Sequence, residues 1–516
     1  MYSTHLHMDS GGRVFEFSRI DERDLAKEIL SLNTSKKVAG DIPTKILKQA
    51  VNICAPVLTM CFNNMIDSCI FPDELKLADI VPVHKKGSTL DKANYRPISL
   101  LPIVSKLFER LLAKQITTFI EKWLSKFLCG FRKGHSPQHA LLNMVRAWQN
   151  CLINSGKVGA VLMDLSKAFD CLPHNLLIAK MEAYGFGKGS LKLMLSYLSK
   201  RFHRVRISSI FSEWLQILLG VPQGSVLGPI LFNLFINDLI FCVLDSSLCN
   251  FADDNSLFAC EQTVDEVINS LSADLFRVID WFSSNGMVAN SAKFQLIFPG
   301  NLSNLCLNVN GIIINSTDTV KLLGVVIDNK LSFYPHVKKL CKSASNKTKA
   351  LLRVRPFLDQ NQSDLLFDSF ILSQFNYCLI ILMFCSKTAH NLIDHTMCRA
   401  LMAKQNDFTL QEHEHENIHI RNLRLLLIEV YKSLHCIGPE IQWNTFTIKN
   451  TGYNLRRGNL LSVPRVNTKL GINSIDFRAA LAWNNLPAAI KSAPNLETFK
   501  KEVGSIPIYC RCAKCL

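Results

Sequence analysis

No stretch of this chain is apolar for long enough to cross a bilayer. The longest such run, about Tyr377 to Cys385, falls far short of the ~20 residues a spanning helix needs. The start, Met1 to Gly12, is polar and carries histidines. It has no apolar core of the kind that marks a secretory signal. No internal repeat or low-complexity tract is present, so a solenoid or repeat array is not expected. Eighteen cysteines are scattered singly through apolar stretches, as at Cys54, Cys61, Cys151, Cys249 and Cys378. That spread gives no compact disulfide framework and fits reduced thiols in a cytosolic or nuclear protein. Acidic residues are the scarce class, 42 against 58 Lys and Arg.

The resulting +16 charge points to a polyanionic partner. Nucleic acid is the first candidate and an anionic membrane surface the second. With 516 residues, 48% of them hydrophobic, the chain can bury a large core. It is too long for one small domain, so two or three units are expected.

Periodicity gives the elements. Ile20 to Ser68 reads as helices: Leu25, Ile29, Leu30 and Leu32 form an apolar face, and Pro43 opens a second helix with Ile46, Leu47, Val51 and Ile53. Ala78 to Val83 reads as a strand, His84 to Arg96 as a basic loop, and Ser105 to Phe119 as a helix. Val158 to Leu165, an apolar run with β-branched residues, reads as a buried strand, with helices at Leu176 to Tyr184 and Leu191 to Leu198. Strands are expected at Arg204 to Ile207 and Trp214 to Leu219. Turn-rich Gly220 to Gly228 leads into a helix, Pro229 to Leu239. Leu248 to Phe251 and Ser256 to Ala259 flank Ala-Asp-Asp-Asn, a hairpin signal. A helix follows, with Val264, Val267, Ile268, Leu271 and Leu275 on one face. Asn310-Gly311 marks a second hairpin, Val320 to Ile327 a further strand, and from Pro335 the chain turns helical and basic. The expected class is α+β, a mixed sheet with helices on one side.

Two acidic sites lie at the ends of apolar strands. Asp164 closes Gly-Ala-Val-Leu-Met-Asp, and Asp253 with Asp254 occupies the expected hairpin turn. Adjacent strand ends would bring three carboxylates into one cleft. Phosphoryl transfer calls for that: it needs positioning and charge stabilisation more than covalent help. Two Mg²⁺ ions ~3.5–4 Å apart supply both, and Mg²⁺ favours carboxylate, phosphate and water oxygens. Taken singly, an Asp-Asp turn is usually structural and Asp164 could cap the helix after it. The surrounding residues decide between these readings.

Phe251 to Asp254 resembles the aromatic-x-Asp-Asp box of reverse transcriptases. AVLMDLSKAFD, Ala160 to Asp170, is similar to their first aspartate motif. VPQGSVLGPILF, Val221 to Phe232, resembles their Gln-Gly motif, and NYRPISLL, Asn94 to Leu101, the fingers motif of the non-LTR retrotransposon branch. The four stand in the family's order, and the resemblance runs from about Lys27 to Arg355. Ser369 to Asp407 and Asn454 to Pro487 look like the C-terminal region of jockey-like elements.

The resemblance implies a right-hand polymerase with an antiparallel palm sheet and a mostly helical C-terminal region. Its boundaries would be an N-terminal helical segment (1–75), fingers and palm (76–300), the end of the palm with a basic thumb (301–400), and a C-terminal region of unassigned role (401–516). It assigns metal binding to Asp164 and Asp253, with Asp254 as a supporting carboxylate. Phe169 becomes the steric gate against a ribose 2′-OH. Gln223 and Gly224 line the incoming nucleotide and template. Arg96, with Lys85 or Lys86, grips the triphosphate, and Lys293 protonates the leaving pyrophosphate. Leu322 to Ile327 resembles the primer-grip region. Lys338, Lys339, Lys342, Lys347, Lys349, Arg353 and Arg355 would track a duplex backbone. Without the family match, Phe169 reads as core, Gln223 and Gly224 as a loop and N-cap, and the cations as solvated faces.

The implied cofactor is a pair of Mg²⁺ ions, with Mn²⁺ as the alternative. The implied partners are an RNA template, a DNA primer or target, and dNTPs, with no membrane. Jockey-like elements encode an endonuclease ahead of the polymerase, and a match beginning this early implies a chain lacking it. Three other readings stay open at this stage: an inactive remnant that binds RNA or DNA, an intron-type splicing factor, and a polymerase copying RNA into RNA. Cys510, Cys512 and Cys515 offer three thiols where structural zinc wants four ligands. His413, His415 and His419 read as a solvated loop.

Overall fold

The computed structural model describes residues 14–33, 42–405, 418–442, 445–449 and 460–508. The motifs at Cys510 to Cys515 and at His413 and His415 lie outside them. The chain folds into two compact units and crosses between them after residues 131, 164, 243, 276 and 290.

The first unit is Met1–Phe131, Leu165–Val243 and Arg277–Asn290. Its sheet centres on Leu77–His84, paired antiparallel with Tyr95–Leu100 and parallel with Arg201–Ile207. Arg201–Ile207 in turn pairs with Leu215–Ile217. Around it lie Glu22–Ser31, Val51–Ser68, Ile103–Ile120, His174–Ala183, Lys188–Leu198 and Gly228–Ile236. Phe62 stacks on Phe108 at 4.8 Å, and Phe71 meets both Phe108 and Tyr197. A Lys180–Asp238 ion pair of 2.8 Å is buried here, the ammonium lying over the Phe235 and Trp281 rings. Burial pushes both partners toward their neutral forms, Lys180 down and Asp238 up.

Several expectations change here. Leu25, Ile29 and Leu32 are buried, but Leu30 is exposed. The second helix breaks at Ala50, into Thr44–Gln49 and Val51–Ser68, which leaves Ile46 and Ile53 exposed. The basic loop after His84 contains the strand Tyr95–Leu100, so Arg96 sits in a ladder opposite Val83. Pro97 masks that strand in the sequence; it stands opposite Pro82, and neither can donate to the ladder.

The second unit is Arg132–Asp164, Leu244–Phe276 and Ser291–Leu516. Its sheet is antiparallel throughout, in the order Gln295–Ile297, Lys157–Ser166, Asp254–Glu261, Ser247–Phe251. The helix Pro137–Ile153 packs on it, placing buried Trp148 against the Phe258 ring. Two hairpins follow, Cys306–Val309 with Ile312–Asn315 and Thr319–Leu322 with Val325–Asp328. The first turns at Asn310-Gly311 as expected. The second replaces the single strand expected at Val320 to Ile327. Its turn, Leu323-Gly324, has positive φ at both residues, and only the glycine signals it.

The apolar run at Tyr377 to Cys385 contains a 3₁₀ helix, Leu379–Phe384, buried on every side. Among the described residues no helix is long and apolar enough to cross a membrane. The C-terminal helices Ile418–Leu434, Ile475–Asn484 and Leu496–Gly504 belong to this unit. Asp476 clasps Arg146 and Asn150, and Glu429 meets His139, so the tail is fastened to Pro137–Ile153. His419 is not on a solvated loop: it is buried in a helix, edge-on to the His390 ring.

His336, on the basic helix Tyr334–Val354, accepts the Val326 N–H at 3.4 Å. Burial and then Lys339 hold its pKa at about 4, below the ordinary 6.5. A depressed folded pKa means stability is complete above pH 6.5 and is lost as pH falls toward 4. The loss should be on the order of 3 kcal/mol, measured as a falling thermal midpoint over that window. A His336→Gln variant should flatten that part of the profile.

Candidate functional site

In the second unit the strand Lys157–Ser166 carries the first acid. Val158, Ala160, Val161, Leu162 and Met163 are buried. At Gly159 an added Cβ would lie 2.6 Å from Val267 and 2.9 Å from Leu271, so only glycine lets that helix approach. Asp164 is where the run becomes half-exposed. Its ladder partner is Asp254. Directly opposed residues of an antiparallel pair have Cβ atoms ~4.5–5.5 Å apart, and like charges there repel.

Asp254 is therefore the first residue of a strand, not part of the turn. The turn is Ala252-Asp253, and Ala252 takes the left-handed conformation at φ +57°. Asn255 donates from its side chain to the Asp253 carbonyl at 3.1 Å and holds the turn. Lys293 reaches Asp164 Oδ2 at 2.9 Å. The pair is largely exposed, so it contributes little to stability, but it does neutralise one carboxylate.

Among the described residues no group of three or more His, Cys, Asp or Glu is arranged to hold a metal. The expected cleft of three carboxylates is thus not a preformed cage. What is present, two opposed carboxylates plus a third on the adjoining turn, is an all-oxygen donor set. It suits Mg²⁺, which takes one or two carboxylates and fills its shell with phosphate and water.

Sequence reasoning missed Tyr377. Its hydroxyl donates to the Leu323 carbonyl at 2.6 Å, and its ring lies 3.1 Å from where a Gly324 Cβ would be. Burial, with Cys378 and the Asp254 charge adding to it, pushes the phenol up to about 12. Tyr377 thus stays a donor, clamping the Leu323-Gly324 turn within electrostatic reach of Asp254. In the sequence it was only the first residue of an apolar run too short to cross a bilayer.

In the first unit the Gly220–Gly228 loop is pinned along its length. Gly220 N–H donates to Leu172 O at 2.8 Å and Val221 N–H to Phe169 O at 2.9 Å. Ser99 N–H donates to Gln223 O at 2.7 Å. Gly224, at φ +121°, would press a Cβ to 2.7 Å from Ser99 O, so glycine is required twice over. The Gln223 side chain donates to Asp170 Oδ1 at 2.9 Å. Phe169 stacks on buried Phe232 at 4.6 Å. Phe169, Gln223 and Gly224 therefore meet in one place. Arg96 lies three residues before Ser99 on the same strand. Lys85, whose N–H bonds Asn94 O, is exposed beside it, as is Lys86.

Beneath the loop sits a residue the sequence did not single out. Glu109 is wholly buried and accepts Val226 N–H at 2.7 Å and Leu227 N–H at 3.1 Å, at the start of Gly228–Ile236. Burial pushes its carboxyl up, while Arg201 and the two amides pull it back. On the basic helix, Lys338, Lys339, Lys342, Lys349 and Arg353 are exposed. Arg355 is not free for phosphate, since its guanidinium bonds the Lys404 and Leu358 carbonyls and Gln360.

Residues 83–327 match the family described as reverse transcriptase (RNA-dependent DNA polymerase). An RNA-directed DNA polymerase from the mobile element jockey of Drosophila melanogaster is 27% identical over 62% of this chain and 36% of its own length. A probable RNA-directed DNA polymerase from transposon X-element of the same species is 30% identical over 61% and 36%. One from transposon BS is 28% identical over 62% and 37%. The chain thus spans a little over a third of these relatives' length. An apo telomerase from Candida tropicalis, truncated from its C-terminal domain, aligns with a TM-score of 0.36 at 11% identity, over 56% of this chain and 67% of that one.

If the opposed carboxylates take a divalent ion, Lys293 competes with it for Asp164. A Mg²⁺ titration followed by thermal midpoint should therefore saturate at a several-fold lower concentration in Lys293→Ala than in the parent. Asp164→Ala should abolish the response. A midpoint indifferent to Mg²⁺ in parent and Lys293→Ala alike would remove the metal reading.

Proposed function

We propose that this chain, which carries a reverse transcriptase domain at residues 83–327 and is homologous to polymerases of jockey-like mobile elements, is itself an RNA-directed DNA polymerase. It extends a DNA primer along an RNA template. The primer 3′-OH attacks the α-phosphate of a dNTP, the new P–O bond forms and pyrophosphate leaves. The observation that carries this reading is the rung that opposes Asp164 to Asp254 beside the Asp253 turn. Two like charges on one rung cost the fold a repulsion, and the rung brings Asp164 to the strand end next to Asp253, where a cation-dependent phosphoryl transferase would use them.

Each residue then has a task. Asp164 and Asp253 would hold Mg²⁺, with Asp254 in support. When bound, paired ions supply charge neutralisation at the attacking and leaving oxygens. Lys293 holds a positive charge against Asp164 and, once displaced from it, is placed to meet the leaving pyrophosphate. Lys85 and Arg96 face the triphosphate from the exposed end of their strand pair. Phe169 presents its ring to C2′ of the sugar and so favours dNTP over NTP. Gln223, tied to Asp170, and Gly224, whose bare backbone permits close approach, line the nucleotide. The exposed lysines of Tyr334–Val354 track the duplex backbone, which makes binding salt-dependent.

The test is primer extension on an RNA template with Mg²⁺ and dNTPs, comparing the parent with Asp253→Ala. The parent should extend. The variant should lose a factor on the order of 10²–10³ or more, the scale of removing one preorganised group that stabilises transition-state charge. Absence of product from a folded parent that still binds RNA would leave a nucleic-acid-binding remnant instead.

A further inference from the structure

Phe131 combines two unfavourable features that nothing in the fold requires. Its backbone is left-handed, at φ +56°, a region that bulky side chains rarely adopt. Its ring is 48% exposed. A glycine would relieve the first and remove the second. The conformation is nevertheless held: the Asn233 side chain, itself buried, donates to the carbonyl of the preceding Gly130 at 2.8 Å. The neighbour of Asn233 is Phe232, the ring on which Phe169 stacks at 4.6 Å and 22°. Phe131 meets Phe169 edge to face, with centroids 5.7 Å apart and planes at 83°. One helix, Gly228–Ile236, thus supplies both the floor under Phe169 and the bond that sets Phe131 beside it.

Strain held in place by buried hydrogen bonding is a mark of function, and here the strained ring touches the side chain assigned to read the sugar. Backbone bonds fix where Phe169 begins, through Val221 N–H on its carbonyl, but its ring is only half-buried. Stacking on Phe232 is one contact on that ring, and the edge-to-face contact of Phe131 is a second.

We propose that Phe131 is a positioning residue for sugar discrimination, holding the Phe169 ring against Phe232 so that a ribose 2′-OH is refused. This rests on the polymerase reading and on the role of Phe169 within it. The experiment is single-nucleotide extension of a DNA primer on RNA by the full chain, with dATP or ATP, for the parent, Phe131→Gly and Phe131→Tyr. Phe131→Gly should lower the dATP-to-ATP ratio of kcat/KM by about tenfold or more, the scale of losing one steric contact in a pocket. Its kcat with dATP should stay within about twofold. Its thermal midpoint should hold or rise, because glycine relieves the left-handed strain. Phe131→Tyr, which keeps the ring, should keep the ratio.

A folded, active Phe131→Gly with the parent's ratio overturns the proposal. So does a variant that loses dATP and ATP incorporation equally, which would mark Phe131 as structural only. Failure of the parent to extend with either nucleotide is a different result, and it sinks the polymerase reading on which the proposal stands.

Discussion

Antiparallel pairing between Lys157–Ser166 and Asp254–Glu261 sets Asp164 directly across from Asp254, and much of the second unit's local design answers that rung. The strands need the pairing, because Val161, Leu162 and Leu257 are buried along it. Val161 and Leu162 face opposite sides of the sheet and both are buried, so packing on each face holds the register. The repulsion is therefore built in, and a nearby cation relieves it. Lys293 is one such cation in the resting protein. An exposed ammonium on a short 3₁₀ turn is a displaceable partner, as the proposed metal binding would require. Tyr377 fits the same constraint from the opposite direction. A phenol held protonated near a carboxylate adds a dipole without adding charge, and it anchors the Leu323-Gly324 turn close to the acids.

The first unit solves another problem, which is to bring a glycine-rich loop close to its neighbours without letting it collapse. Gly220 and Gly224 give the loop its closeness to Phe169, Asp170 and Ser99, and glycine alone would leave it slack. Rigidity comes from Glu109. A wholly buried carboxylate is costly unless its oxygens are satisfied, and here two backbone amides at the head of Gly228–Ile236 satisfy one oxygen. The arrangement fastens the loop to Ile103–Ile120 without occupying the face that Gln223 presents.

The residues proposed to carry chemistry could be singled out in sequence because each is defined by local context. Asp164 ends a β-branched run, Asp253 follows an aromatic residue and a small one, and Gln223-Gly224 precedes a helix. Their supports were not readable, because each depends on a contact far away in the chain. Glu109 and Val226 are 117 residues apart and Tyr377 and Leu323 are 54 apart, and nothing in the spacing of a single chain encodes either. Local pattern also misled where the turn residue was atypical. Ala252 and Leu323 are left-handed without being glycine or asparagine, so the turn at the Asp-Asp box was taken two residues too wide and a hairpin was taken as one strand.

Those atypical turns share a property. Non-glycine residues at positive φ include Phe131 beside Phe169, Lys167 between Asp164 and Phe169, Ala252 before Asp253, and Leu323 under Tyr377. Each costs on the order of 1 kcal/mol or more, and such strain persists only where surrounding contacts over-determine the backbone. Those contacts can be named: Asn233 on Gly130, Asn255 on the Asp253 carbonyl, Tyr377 on Leu323. Substituting glycine at these turns would stabilise each unit by itself while loosening the group it presents. Positive φ at other non-glycine residues, Cys69, Ser155, Lys200 and Asn301 among them, lies away from these groups, so it is the named contact and not the strain alone that ties a turn to a neighbouring side chain.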